Sequence, residues 1–108
     1  MRFSVQVTAG AERDLVEISG YLMQQEGPAL AERVLGDILA AGSDLAQFPE
    51  RGAHPRELQA LGILDFRQVV VPPYRIIYRI VGKMVFLYLV ADGRRDFQSL
   101  LEQRLLRG

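Results

Sequence analysis

Apolar and polar residues alternate from the first positions of the chain, with Phe3, Val5 and Val7 interleaved among Arg2, Ser4 and Gln6. Successive side chains of a strand point to opposite faces, so this period of two predicts a half-buried strand. The period then changes. Ala11, Leu15, Ile18 and Leu22 recur at helical spacing and predict one apolar stripe on a helix. Thr8 is placed to cap that helix, and Glu12 lies in its first turn, where the helix dipole favours an acid. The helix is expected to run from about Ala9 to Glu26. Gly27-Pro28 interrupts it, and glycine after one helix with proline opening the next is a favourable arrangement. A second stripe at Ala31, Val34, Leu35, Ile38, Leu45 and Phe48 predicts a second helix, with Pro49 and Gly52 marking its stop. So tight a link predicts an antiparallel helical hairpin.

Pro49 to Gly62 reads as an irregular connection, and strand patterning follows it. Ile63 to Val71 is rich in branched residues and is closed by Pro72-Pro73, which cannot continue a ladder. Tyr74, Ile76, Tyr78 and Ile80 alternate with Arg75, Ile77, Arg79 and Val81. Gly82-Lys83 suits a two-residue hairpin turn, and Met84 to Ala91 is apolar on both faces, as a strand inside a sheet should be. After Asp92-Gly93, Asp96 is placed to cap a last helix carrying Phe97, Leu101 and Leu105 on one face. The predicted order is strand, two helices, three strands, helix. This is an α+β fold, an antiparallel sheet packed against a helical hairpin with a short C-terminal helix.

Bulk properties narrow the classes of function. A chain of 108 residues has room for one domain, spanning 1–108. Thirteen basic residues balance thirteen acidic ones, so any grip on nucleic acid would need a local cluster instead of a basic surface. With no cysteine and a single histidine, His54, there are no disulfides, cysteine nucleophiles or cysteine–histidine zinc sites. No cofactor or metal is expected. No stretch approaches the ~20 apolar residues that span a bilayer, and no apolar signal region opens the chain. A cytoplasmic location without a membrane partner is the expectation.

Five arginines form the one basic group that could hold phosphate or an acidic partner. Arg75 and Arg79 lie four apart on one strand and project from the same face; Arg67 is expected to reach that face from the preceding strand. Arg94 and Arg95 follow the central strand. The competing reading pairs them with Asp65, Asp92 or Asp96 in surface ion pairs. Tyr78 and Tyr88 are read as core residues whose hydroxyls find a hydrogen bond, and Tyr74 as lying beside the proline turn. The carboxylates of Glu12, Asp14, Glu17, Glu26, Glu32 and Asp37 are read as solvated helix surface. No glycine-rich phosphate loop or nucleophile elbow appears.

Four segments carry a family likeness: Ala11-Glu12-Arg13-Asp14-Leu15 with Ile18 and Tyr21; Leu45 through Phe48-Pro49 to Gly52; Phe66-Arg67 followed by Tyr74-Arg75-Ile76-Ile77-Tyr78; and Arg94-Arg95-Asp96 leading into Leu100-Leu101. With its order of elements, the chain resembles toxins of the RelE/ParE superfamily of type II toxin–antitoxin systems. That resemblance implies growth inhibition, either by cutting messenger RNA on the ribosome or by trapping DNA gyrase. It also implies neutralisation by an antitoxin whose C-terminal segment folds around the toxin in a hetero-oligomer. The nuclease branch places catalytic groups at positions matching Arg67, Arg75 and Arg94 or Arg95. Its second basic strand position falls near Val69, and its tyrosine or histidine near Leu100 or Leu101. Leucine cannot move a proton, and general acid–base assistance contributes typically ~10²–10⁴-fold. The neutral charge balance points the same way, since docking on a ribosome favours a basic protein. The gyrase-binding branch is therefore preferred, with the RelE-like nuclease and an inactive, antitoxin-binding relative as alternatives. The expected target-binding residues are Arg67, Arg75, Arg79, Arg94 and Arg95, and alanine at Arg75, Arg94 and Arg95 together is expected to relieve toxicity with the fold intact.

Overall fold

A computed structural model describes residues 2–106. Its elements are β1 (Ser4–Val7), α1 (Ala9–Gln25), α2 (Pro28–Asp44), α3 (Arg56–Gln59), β2 (Phe66–Val71), β3 (Tyr74–Val81), β4 (Met84–Asp92) and α4 (Phe97–Leu101), which runs on into a π-helical turn over Glu102–Leu106. Local signals act where the sequence places them. The Thr8 hydroxyl accepts the Ala11 N–H at the start of α1, and Gly27, at φ 95°, supplies a bend that Pro28 follows as the first residue of α2. Asp96 caps α4 by accepting the Ser99 N–H and hydroxyl.

The sheet order is β1-β4-β3-β2. The meander β2–β3–β4 is antiparallel, through the Pro72-Pro73 and Gly82-Lys83 turns. The first strand departs from that rule: β1 pairs in parallel with β4, Ser4 against Met84 through Val7 against Leu87. Periodicity determines which face of a strand is buried but not its direction, and no tight turn links β1 to β4.

The sheet is covered on both faces, which explains why β4 is apolar on both and why β3 buries Ile76 and Ile77 on opposite ones. One face packs on α1 and α2, burying Ala11, Ile38, Leu45, Ile76, Tyr78, Val85 and Leu87. The other packs under α3 and α4, burying Leu58, Phe66, Ile77, Leu89, Phe97 and Leu101. Each fully buried Leu, Ile or Phe contributes about 1.5–3 kcal/mol relative to exposure. An irregularity in the β3–β4 register, Tyr78 facing Leu87 while Ile77 faces Leu89, leaves Tyr88 as an extra residue. It turns Tyr88 onto the second face, where its half-buried ring meets Phe66 edge-on at 5.5 Å.

Three boundaries differ from the sequence reading. The connection before β2 contains the single helical turn α3, which buries Leu58, and β2 starts at Phe66, not Ile63. The α2 helix ends at Asp44, and Phe48, expected on its buried stripe, is 60% exposed. Turns at Leu45–Phe48 replace the last helical turn and carry Phe48 away from the core.

Candidate functional site

The five arginines do not form one surface. Arg67 pairs with Tyr78, so the pleat places it on the face covered by α1 and α2, opposite Arg75 and Arg79. There its guanidinium donates to the carbonyls of Gly52 at 2.8 Å and Glu50 at 3.2 Å. It holds the loop that also receives Tyr78, whose hydroxyl donates to the Pro49 carbonyl at 2.6 Å and accepts the Gly52 N–H at 2.9 Å. Burial raises the Tyr78 phenol above its ordinary value. A side chain at Gly52 would run into the Gln68 carbonyl and stand 2.7 Å from that hydroxyl, so this approach needs glycine. His54 belongs to the same loop, with Nδ1 3.1 Å from the Phe66 carbonyl.

Arg75 does lie on the face shared with Arg79, but it is enclosed. Its side chain is 13% exposed. The guanidinium forms a fork with Glu57 of α3 at 2.8 and 2.9 Å, bonds Gln68 at 2.7 Å and lies 3.8 Å over the Phe97 ring. The Arg75 guanidinium holds the Glu57 carboxyl below its ordinary value, against the opposing effect of burial. Gly93 closes over the stem, where a Cβ would sit 2.9 Å from Arg75 Cδ. Arg75 thus joins α3, β2, β3 and α4. Its replacement by alanine, expected from sequence to leave the fold intact, would remove the polar centre of the second layer. Arg79 is a looser case, 3.5 Å from Asp65 with both side chains substantially exposed.

Arg94 and Arg95 remain at the surface. Arg94, with its side chain 79% exposed, folds back on Asp92 at 2.6–3.2 Å. Its hydrogen bonds hold the Asp92 carboxyl below the usual range. Arg95 is exposed and has no side-chain partner among the described residues.

These two arginines edge a groove of about 560 Å³ between the helical hairpin and the end of the sheet. Ile18, Leu22, Leu30, Val34 and Tyr74 give it an apolar lining, Glu17 and Glu26 stand on the hairpin side, and Arg94 and Arg95 on the sheet side. Tyr21 projects at its mouth, 64% exposed. Burial, with Asp92 nearby, raises the Tyr74 phenol.

One wall of the groove depends on a contact that the sequence reading assigned to solvated surface. Asp14 is half-buried and takes a fork from Arg104 at 2.9 and 3.0 Å; it also accepts the Val90 N–H at 3.0 Å, while Arg104 donates to the Tyr88 carbonyl. Since β1 pairs only as far as Leu87, these two side chains satisfy the edge of β4 beyond the end of β1. The signal was present: Asp14 stands three after Ala11 and four before Ile18, within the apolar stripe. Glu57, on an isolated helical turn, carried no such signal. Tyr88, expected to bury a bonded hydroxyl, is half-buried with no hydroxyl partner among the described residues.

Residues 5–97 match the family model described as the ParE toxin of the type II toxin–antitoxin system parDE. The chain belongs to the ParE toxin family. Solved structures carry the same fold. A chain of the chromosomal ParDE system of P. aeruginosa superposes with a TM-score of 0.71 at 23% identity, over 84% of this chain and 96% of that one. A chain of the RelBE2 toxin–antitoxin complex of Mycobacterium tuberculosis gives 0.61 at 24% identity, over 85% and 99%. A substituted RelE toxin of E. coli, in the free state, gives 0.59 at 13% identity, over 99% and 97%. No curated protein matches the sequence. Within this ParE-family fold, Leu100 and Leu101 are buried in the second core. No described helix is long and apolar enough to cross a membrane.

Proposed function

We propose that this ParE-family toxin arrests growth by binding DNA gyrase, and that its antitoxin neutralises it by laying a segment in the groove between the helical hairpin and the sheet. The reading rests first on Arg75. The arginine matching a nuclease position is committed on three sides, to Glu57, Gln68 and Phe97. Arg67 is committed to two loop carbonyls. Leu100 and Leu101, near which the resemblance puts a nuclease's proton donor, are buried. Arg94 and Arg95 are the members of the original five best placed to meet a macromolecular target, and guanidinium groups suit an acidic protein surface.

The groove fits an amphipathic segment, with apolar positions for its floor and basic ones opposite Glu17 and Glu26. Such a segment would fold as it binds. Tyr21→Asp is expected to weaken antitoxin binding by about 10-fold or more, measured by calorimetry; unchanged affinity would move the antitoxin elsewhere.

A supercoiling and DNA-cleavage assay with antitoxin-free protein tests the target. Accumulated cleaved DNA and loss of supercoiling are expected. Gyrase untouched by protein that still arrests growth would make ribosome-dependent cutting of messenger RNA the leading mechanism. Absence of growth arrest would support a relative that only binds its antitoxin.

A further inference from the structure

The groove lies at the Tyr74 end of β3; at the other end, around Ile80 and Gly82, is a second depression that shares no residue with it. It is an apolar hollow of about 790 Å³ lined by Phe3, Phe48, Pro49 and Ile80, with Glu50 and Arg51 beside it. Phe48 forms part of its wall yet stays 60% exposed. An aromatic ring left in water at this level, beside an apolar hollow, marks an association surface more than a folding one.

We propose that this surface associates with a second copy of the chain about a two-fold axis. Two features favour that occupant. A two-fold contact uses one patch twice, so the patch must be complementary to itself. This one carries an exposed ring on the wall of an apolar hollow, so the Phe48 ring of each copy can cover the hollow of the other. Its rim is also self-complementary in charge, since Glu50 and Arg51 are adjacent and of opposite sign. Glu50 has no side-chain partner among the described residues, and Arg51 has only a 3.7 Å contact with exposed Asp44. In an antiparallel apposition Glu50 of each copy meets Arg51 of the other. The zero net charge removes any long-range repulsion between copies. The inference does not depend on which target the toxin binds, because it concerns a different end of the sheet.

One ring and one opposite-charge pair per copy make a small contact, so the pair should be weak. In sedimentation or light scattering of the purified chain, the average mass should climb from 12.1 kDa towards twice that value as concentration rises over roughly 5–500 µM. Phe48→Asp should hold the mass at the monomer value throughout while keeping the parent's circular dichroism and melting midpoint, because the ring contributes little to the core. Glu50→Arg and Arg51→Glu, tested singly, should each weaken pairing by about 10-fold, through like charges across the axis. An equimolar mixture of the two single variants should recover it, a result a merely misfolded variant would not produce. A parent chain that stays monomeric over the whole range overturns the proposal. So does dimerisation that survives both Phe48→Asp and the charge reversals, which would place the contact elsewhere. A monomeric parent whose toxicity disappears in Phe48→Asp would assign the surface to a different protein, again overturning the second copy as its occupant.

Discussion

Arg75 and the Arg94–Arg95 pair differ little in sequence, where each is an arginine beside a strand or its end. In the fold they are opposites. Arg75 is closed in by a carboxylate fork, an amide and an aromatic ring drawn from three other elements. Arg94 reaches only its near neighbour Asp92, and Arg95 stands in solvent. The contrast teaches that a guanidinium is a binding group only to the extent that the fold leaves its donors unassigned. Burial with a bidentate partner turns it into a structural joint.

The comparison can be broken most severely at the joint. Arg75→Ala leaves Glu57 partly buried without its partner and should cost about 3 kcal/mol, a fall of roughly 10–20 °C in melting midpoint. A midpoint within two or three degrees of the parent would place Arg75 among the free arginines. Next is Arg104→Ala, which uncovers Asp14 and the Tyr88 carbonyl together. About 2 kcal/mol should be lost, and exchange of the Val90 amide should quicken; an amide still protected would show that Asp14 does not need Arg104.

Acid offers a gentler route to the same joint. The Glu57 carboxyl is depressed in the folded state, so its contribution is complete above its ordinary value of 4.5 and is lost as pH falls through the lower folded value. Chemical denaturation between pH 7 and pH 3 should therefore show a steeper decline for the parent than for Glu57→Gln, and parallel curves would contradict the assignment. The smallest effect on stability belongs to the open pair. Arg94→Ala with Arg95→Ala should change stability by no more than about 0.5 kcal/mol while reducing toxicity in a growth assay. Full toxicity from that double variant would remove both residues from the target surface.

Much of this architecture was legible because local rules and tertiary packing agree. Thr8, Gly27-Pro28, Gly82 and Asp96 act as the turns and caps they resemble. The face of Arg67 was legible too, though it was misassigned. A two-residue turn at Pro72-Pro73 sets Val71 against Tyr74, and counting back places Arg67 against Tyr78. Other features required the fold itself. The parallel direction of β1 depends on how an unlinked strand meets β4. The extra residue at Tyr88 interrupts an alternation that looks regular in sequence. Glu57 meets Arg75 across 18 residues, from a helical turn too short to carry a periodic signal. The candidate site was therefore the less legible part, because availability is set by partners that sequence spacing does not pair.

The Asp14–Arg104 contact also imposes an order in time. Its partners are 90 residues apart, so at ~5–20 residues per second one waits roughly 5–18 s for the other to be synthesised. Until then the far half of β4 has no Arg104 to occupy its edge. The finished toxin and its nascent form thus present different edges to any extended chain nearby. That edge of β4 is covered only once residue 104 has been added.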